Sequence, residues 1–83
     1  MTHDLVMLAL AKHAASQAAD LASALEAERD TDLVALGRKE LAELALTINA
    51  YRTVAQTVGD GRLLHDLTEH YQTVNRCLWR LPV

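Results

Sequence analysis

The chain has 83 residues, a formal net charge of −3, three glycines and one proline. This length allows one domain, residues 1–83, with a core small enough that self-association would add stability. The charge argues against a general nucleic-acid binder, and no apolar run is long enough to span a bilayer. The start lacks the basic region of a secretion signal, and Cys77 is the sole cysteine. We therefore expect a cytoplasmic protein in which this thiol is a packing residue. A reactive thiol or an intermolecular disulfide is the alternative.

Apolar residues spaced alternately three and four apart predict a first helix over about 3–29. Its seam comprises Leu8, Ala11, Ala15, Ala18, Ala22 and Leu25. Val6 and Leu10 lie one turn apart on the side away from this seam, so we predict that they mediate self-association as a homodimer or another oligomer. Contact with a different protein and ordinary surface exposure are the alternatives.

A second seam predicts a helix over about 32–58, with polar capping residues around Asp30. The seam comprises Val34, Gly37, Leu41, Leu44, Ile48, Tyr51, Ala55 and Val58. Neither glycine nor proline marks the turn before this helix. The alternative is therefore a first helix that continues to Leu36 and ends at Gly37.

The third helix is predicted over about 61–80, after a Gly59 C-cap and an Asp60 N-cap and before Pro82. Its seam comprises Leu64, Leu67, Tyr71, Val74, Leu78 and Leu81. Short turns favour antiparallel neighbours. The predicted fold is an all-α, three-helix antiparallel (up-down-up) bundle with coiled-coil-like heptad seams, assembling as a dimer.

A polar cluster is predicted between the second and third helices. It comprises Asn49, Arg52 and Gln56 on one side and Gln72, Thr68 and His65 on the other. We interpret it as a set of hydrogen bonds that fixes helix pairing. The alternative is a groove for a small polar ligand.

The four histidines lack the spacing of a strong metal site. Asp66, Glu69 and His70 share one helical face, which we interpret as a solvated polar surface; a metal site completed by a second subunit is the alternative. No nucleophile elbow or glycine-rich phosphate loop occurs. We therefore predict no catalytic residue, no metal and no cofactor.

A cationic cluster with an aromatic residue is predicted at one end of the bundle. Arg76 and Arg80 lie one turn apart around Trp79, and Arg38 should lie at the same end. Exposed Trp and Arg are enriched at binding hot spots, so we predict that these four residues bind a protein partner. The alternative is internal neutralisation by nearby acidic residues, namely Glu26, Glu28, Asp30 and Asp32.

These features together favour a small protein–protein interaction module over an enzyme. Such a module would be an adaptor, an inhibitor or a regulatory protein, of the kind that phages and mobile elements encode. A ligand- or metal-binding helical bundle is the first alternative, and a small helical enzyme is the second.

Overall fold

The computed structural model describes residues 2–81, which form three α-helices packed against one another. They are α1 (Thr2–Glu26), α2 (Thr31–Val58) and α3 (Gly61–Arg80). These residues contain no strand, so the predicted all-helical fold is confirmed. Pro82, predicted to follow the last helix, lies outside the described residues.

The first helix ends earlier than the sequence pattern indicated. It ends at Glu26, whereas the prediction extended it to about residue 29. The Glu28 carboxylate accepts hydrogen bonds from the backbone N–H groups of Arg29 and Asp30, both at 3.1 Å. A side chain that binds nearby backbone in this way competes with helix continuation, which explains the early end.

Asp30 caps the start of α2 from an extended backbone conformation, and this excludes the alternative in which the first helix runs on to Leu36. Its carboxylate accepts hydrogen bonds from the backbone N–H groups of Asp32 at 2.9 Å and of Leu33 at 3.4 Å. An aspartate in this role satisfies N–H groups that have no partner within the helix. Gly37 therefore lies inside α2 and is not a C-cap.

The second turn follows the expected capping chemistry. Gly59 has φ of 75°, a left-handed conformation that glycine adopts without steric cost. Its N–H donates to the carbonyl of Gln56 at 3.2 Å, and the Asp60 N–H donates to that of Ala55 at 3.0 Å. This is the Schellman arrangement. The Asp60 carboxylate then accepts the Leu63 N–H at 3.0 Å and caps α3.

The core combines small residues from α1 with large residues from the other two helices. Five buried alanines come from α1, namely Ala11, Ala14, Ala15, Ala18 and Ala22. The largest fully buried side chains come from α2 and α3, namely Leu41, Ile48, Leu67 and Val74. Small residues opposite large ones fill a core without voids and let backbones approach closely.

Some buried positions differ from the predicted seams. Val58, assigned to the core, is 67% exposed because it is the last residue of α2. Leu63 and Cys77 are buried, whereas their predicted neighbours Leu64 and Leu78 are half-buried. A helix in a three-helix bundle faces two neighbours, so its buried stripe is wider than a two-position seam. The burial of Cys77 agrees with its predicted packing role.

The helices form an elongated body of 44 × 18 × 15 Å. Within residues 2–81, no helix combines the length and the apolar character that crossing a bilayer requires.

Candidate interaction surfaces

The end of α3 carries the most exposed large apolar side chain of the described residues. Trp79 is 85% exposed, and Arg76 beside it is also exposed. Trp79 follows the half-buried Leu78 and lies roughly 150° around the helix from the buried stripe, which explains why its ring meets solvent. We call Trp79, Arg76, Arg80 and Arg38 the Trp79 end.

The two remaining arginines of the Trp79 end have contacts within the chain. An Arg80 guanidinium nitrogen forms an ion pair with the Glu26 carboxylate at the end of α1. Half-buried Arg38 donates from Nη1 to the Leu81 carbonyl at 3.4 Å, which ties α2 to the end of α3. Internal neutralisation, the alternative considered from the sequence, therefore applies to Arg80. Arg38 contributes to holding two helices together.

The second candidate surface includes Val6 and Leu10, which are 51% and 48% exposed. It extends to four apolar residues of α2 that sequence reasoning did not assign to a surface. These residues are Leu33, Leu36, Val54 and Val58, with exposures of 49, 57, 46 and 67%. We call these six residues the α1–α2 face. They make up six of the nine exposed large apolar residues in the described chain.

A shallow groove of about 310 Å³ shows which edges of α1 and α2 form this face. Gln17, Asp20 and Leu21 line it from α1, and Glu40 and Leu44 line it from α2. Residues three or four apart lie on the same side of a helix. On α2, such spacing leads from Glu40 back to Leu36 and Leu33 and forward to Val54 and Val58. On α1, it leads from Gln17 back to Leu10 and Val6. On α2, Leu33, Leu36 and Val54 each lie one residue before a position of the predicted seam, and that spacing was the signal that could have revealed this part of the face.

The predicted polar cluster forms around Arg52. Its Nε donates to Thr68 Oγ1 at 3.0 Å and its Nη1 donates to Asn49 Oδ1 at 3.0 Å. The guanidinium carbon lies 4.6 Å from the centre of the Tyr71 ring, a cation–π contact that the sequence analysis missed. Gln56 is exposed, and the three contacts described here all involve the Arg52 side chain.

The remaining expected members of the polar cluster point elsewhere. Gln72 is exposed, and His65 Nε2 lies 3.4 Å from Glu69 Oε1 on its own helix. His65, Asp66 and Glu69 place their ligand atoms within 4.8 Å of one another. This set replaces the predicted group of Asp66, Glu69 and His70. All its members belong to one helix, and two of the three, His65 and Glu69, are exposed to solvent.

Comparison with protein-family models, with curated proteins and with solved structures finds no match for this chain.

Proposed function

We propose that this chain is a protein–protein interaction module that acts by binding a protein partner through the Trp79 end. It would serve as an adaptor, an inhibitor or a regulatory protein, and not as an enzyme. The observation that carries this proposal is the 85% exposure of Trp79 next to Arg76. An indole left in water at a helix end has a large apolar area to bury, and tryptophan and arginine dominate binding hot spots.

The chemistry of the Trp79 end favours a partner whose surface is partly apolar and acidic. An apolar patch on that partner would cover the indole, and carboxylates beside it would accept hydrogen bonds from Arg76. Arg80 would exchange its bond with Glu26 for one with the partner, since both side chains are partly exposed. We also propose a cytoplasmic location, where a single unpaired thiol such as Cys77 stays reduced.

The proposed arrangement of the bundle is up-down-up and antiparallel, with coiled-coil-like seams. Three contacts support it. Leu25, near the end of α1, packs on Gly37 near the start of α2. Arg52 contacts Thr68, and Arg38, which is earlier in α2, contacts Leu81, which is later in the chain than Thr68. Residue numbers therefore rise along α3 in the direction in which they fall along α2. We propose in addition that the chain assembles as a dimer through a surface that includes Val6 and Leu10.

Affinity capture with matched baits tests the binding function. Wild-type chain, Trp79→Ala and Leu46→Ala are immobilised and exposed to lysate of the source cells, and retained proteins are identified by mass spectrometry. Leu46 is a suitable control because it is 68% exposed and belongs to neither surface. We expect a protein that wild-type and Leu46→Ala retain and that Trp79→Ala loses. Equal retention by all three baits would exclude the Trp79 end as the binding site.

A further inference from the structure

The groove between α1 and α2 combines apolar side chains with one carboxylate from each helix. Its volume is about 310 Å³. Leu21 and Leu44 line it and are half-buried, whereas Asp20 on α1 and Glu40 on α2 line it and are exposed. The exposed Gln17 adds a side-chain amide. Apolar surface next to two carboxylates suits a ligand group that is aliphatic along its length and positively charged at its tip.

Neither carboxylate of this groove is neutralised by the described chain. The ion pairs within residues 2–81 involve Glu26 and Glu69, and neither of them includes Asp20 or Glu40. No side chain in the same range donates a hydrogen bond to these two carboxylates. A cation therefore meets both of them without displacing a contact that stabilises the fold.

The surrounding part of the chain has a charge of the same sign. Residues 13–47, which include the groove and the turn between α1 and α2, contain seven acidic and three basic residues. The rest of the chain contains four acidic and five basic residues. A region with an excess of negative charge attracts cations and raises their local concentration. This asymmetry favours a basic ligand at the groove.

We propose that the groove binds an arginine side chain from a basic segment of another protein. The aliphatic stem of that arginine packs on Leu21 and Leu44, and its guanidinium group donates hydrogen bonds to Asp20 and Glu40. A guanidinium group has five N–H donors spread in one plane, so it can serve carboxylates on two helices at once, whereas the lysine ammonium is a single compact charge. The Gln17 amide oxygen is a further acceptor.

The shape of the groove explains why the cation belongs to a polypeptide. Pockets for small molecules measure about 300–1,000 Å³ and bury most of the ligand. This groove is at the low end of that range and is shallow, so it leaves a free small cation largely in water. A side chain that is part of a peptide gains additional contacts from the residues on either side of it.

This site goes beyond the binding function proposed above, because its charge preference is the opposite of that of the Trp79 end. The Trp79 end favours an acidic partner, and the groove favours a basic one. A chain that carries both sites can hold two different partners at the same time, as an adaptor does.

Chemical-shift mapping by nuclear magnetic resonance tests the site. A capped tri-arginine peptide is added to the isotopically labelled full chain at constant ionic strength. We expect shifts concentrated at the residues that line the groove, including the side-chain amide of Gln17. Asp20→Asn and Glu40→Gln should each weaken binding about three- to fivefold, the effect of removing one partly exposed ion pair.

Glu69→Gln is the matched control, because it makes the same charge change at an exposed carboxylate of α3. It should leave the affinity for the peptide within about twofold of wild type. Circular dichroism of each variant verifies its helical content. An equal loss of affinity in Glu69→Gln and Glu40→Gln, or shifts spread over all exposed carboxylates, would show attraction by net charge alone and overturn the site.

Two further probes test the chemistry of the ligand. Spermidine and a capped tri-lysine peptide carry the same three positive charges as the tri-arginine peptide, and both should bind more weakly. Equal binding of spermidine would assign the groove to free polyamines, and equal binding of tri-lysine would remove the preference for guanidinium; either result overturns the proposal. Trp79→Ala should bind the tri-arginine peptide as wild type does, so the outcome is independent of the capture experiment.

Discussion

Gly37 lies so close to Leu25 that the contact between α1 and α2 leaves no room for a β carbon. A methyl group built on Gly37 would lie 2.6 Å from Leu25 Cδ2 and 2.9 Å from Cγ. Carbon atoms normally stay about 3.5–4.0 Å apart. Leu25 is 7% exposed and cannot turn into solvent without leaving the core. The space beside this glycine is therefore filled by a side chain from the neighbouring helix.

Gly37→Ala should lower the free energy of unfolding by about 1–3 kcal/mol because the added methyl overpacks the core. Alanine would otherwise favour a helix interior by about 1 kcal/mol over glycine. Urea denaturation followed by circular dichroism measures the effect. Gly61→Ala is the matched control, since no atom other than its chain neighbours and its own helix backbone lies within 4 Å of its β carbon. Equal stability of the two variants would mean that Leu25 moves aside without cost.

Trp79→Ala should leave the free energy of unfolding within about 0.5 kcal/mol of wild type, because the ring is exposed. The same change should weaken partner binding by about 2 kcal/mol or more. Leu67→Ala, at a fully buried position, should cost about 2–5 kcal/mol of stability. Denaturation and a binding titration measure the two quantities. If Trp79→Ala unfolds the chain while affinity per folded molecule stays constant, the residue belongs to the core.

The ion pair between Arg80 and Glu26 should regulate the rate of partner binding more than stability. Both side chains are partly exposed, and such pairs contribute about 0–1 kcal/mol. Glu26→Gln should speed association by releasing the guanidinium group, whereas Arg80→Glu should slow it and reduce its salt dependence. Stopped-flow or surface-based kinetics at two salt concentrations measure both effects. Glu69→Gln removes a carboxylate elsewhere on the surface and should leave the association rate and its salt dependence unchanged.

Arg52→Met should lower the free energy of unfolding by about 1–2 kcal/mol. Methionine keeps part of the apolar stem but removes the hydrogen bonds to Thr68 and Asn49 and the contact with Tyr71. Arg62→Met is the control, because this arginine is exposed near the start of α3. Chemical denaturation compares the two. A similar effect of both changes would show that the Arg52 contacts add nothing beyond surface charge.

Two substitutions on the α1–α2 face should change self-association in opposite directions. Leu36→Glu should weaken the proposed dimer at least about tenfold, because it places a charge among apolar residues that the dimer would remove from water. Glu43→Gln should strengthen the dimer by removing one carboxylate from a face that also carries Asp20 and Glu40, and added salt should act in the same direction. Sedimentation or light scattering over a concentration series gives the dissociation constants. Leu46→Glu should have no effect; a loss equal to that of Leu36→Glu would contradict the proposed face.

The helical class could be predicted from local chemistry. Three- and four-residue spacing of apolar side chains needs only the helical period, and the Gly59–Asp60 turn needs only backbone geometry. The end of α1 was placed too late because the apolar pattern says nothing of Glu28, whose carboxylate holds the backbone after Glu26 out of helical continuation. Periodicity finds a helix more reliably than it finds its last turn.

The surfaces were predicted only in part. Val6 and Leu10 stood out because they lie far from the α1 seam, and Trp79 stood out because it follows Leu78. On α2, Leu33, Leu36 and Val54 lie next to the seam, where apolar residues are equally expected to be buried. Which edge of α2 faces a neighbour depends on the side that α3 occupies, and no local pattern contains that information.

The sequence by itself determined three amphipathic helices, the capped turn at Gly59 and an exposed position for Trp79, because each follows from neighbouring residues and the helical period. Only the tertiary structure decided that Arg80 pairs with Glu26, that Leu25 packs on Gly37, and that neighbouring edges of α1 and α2 line one groove. These contacts join residues distant in the chain, and they depend on how three helices share one core.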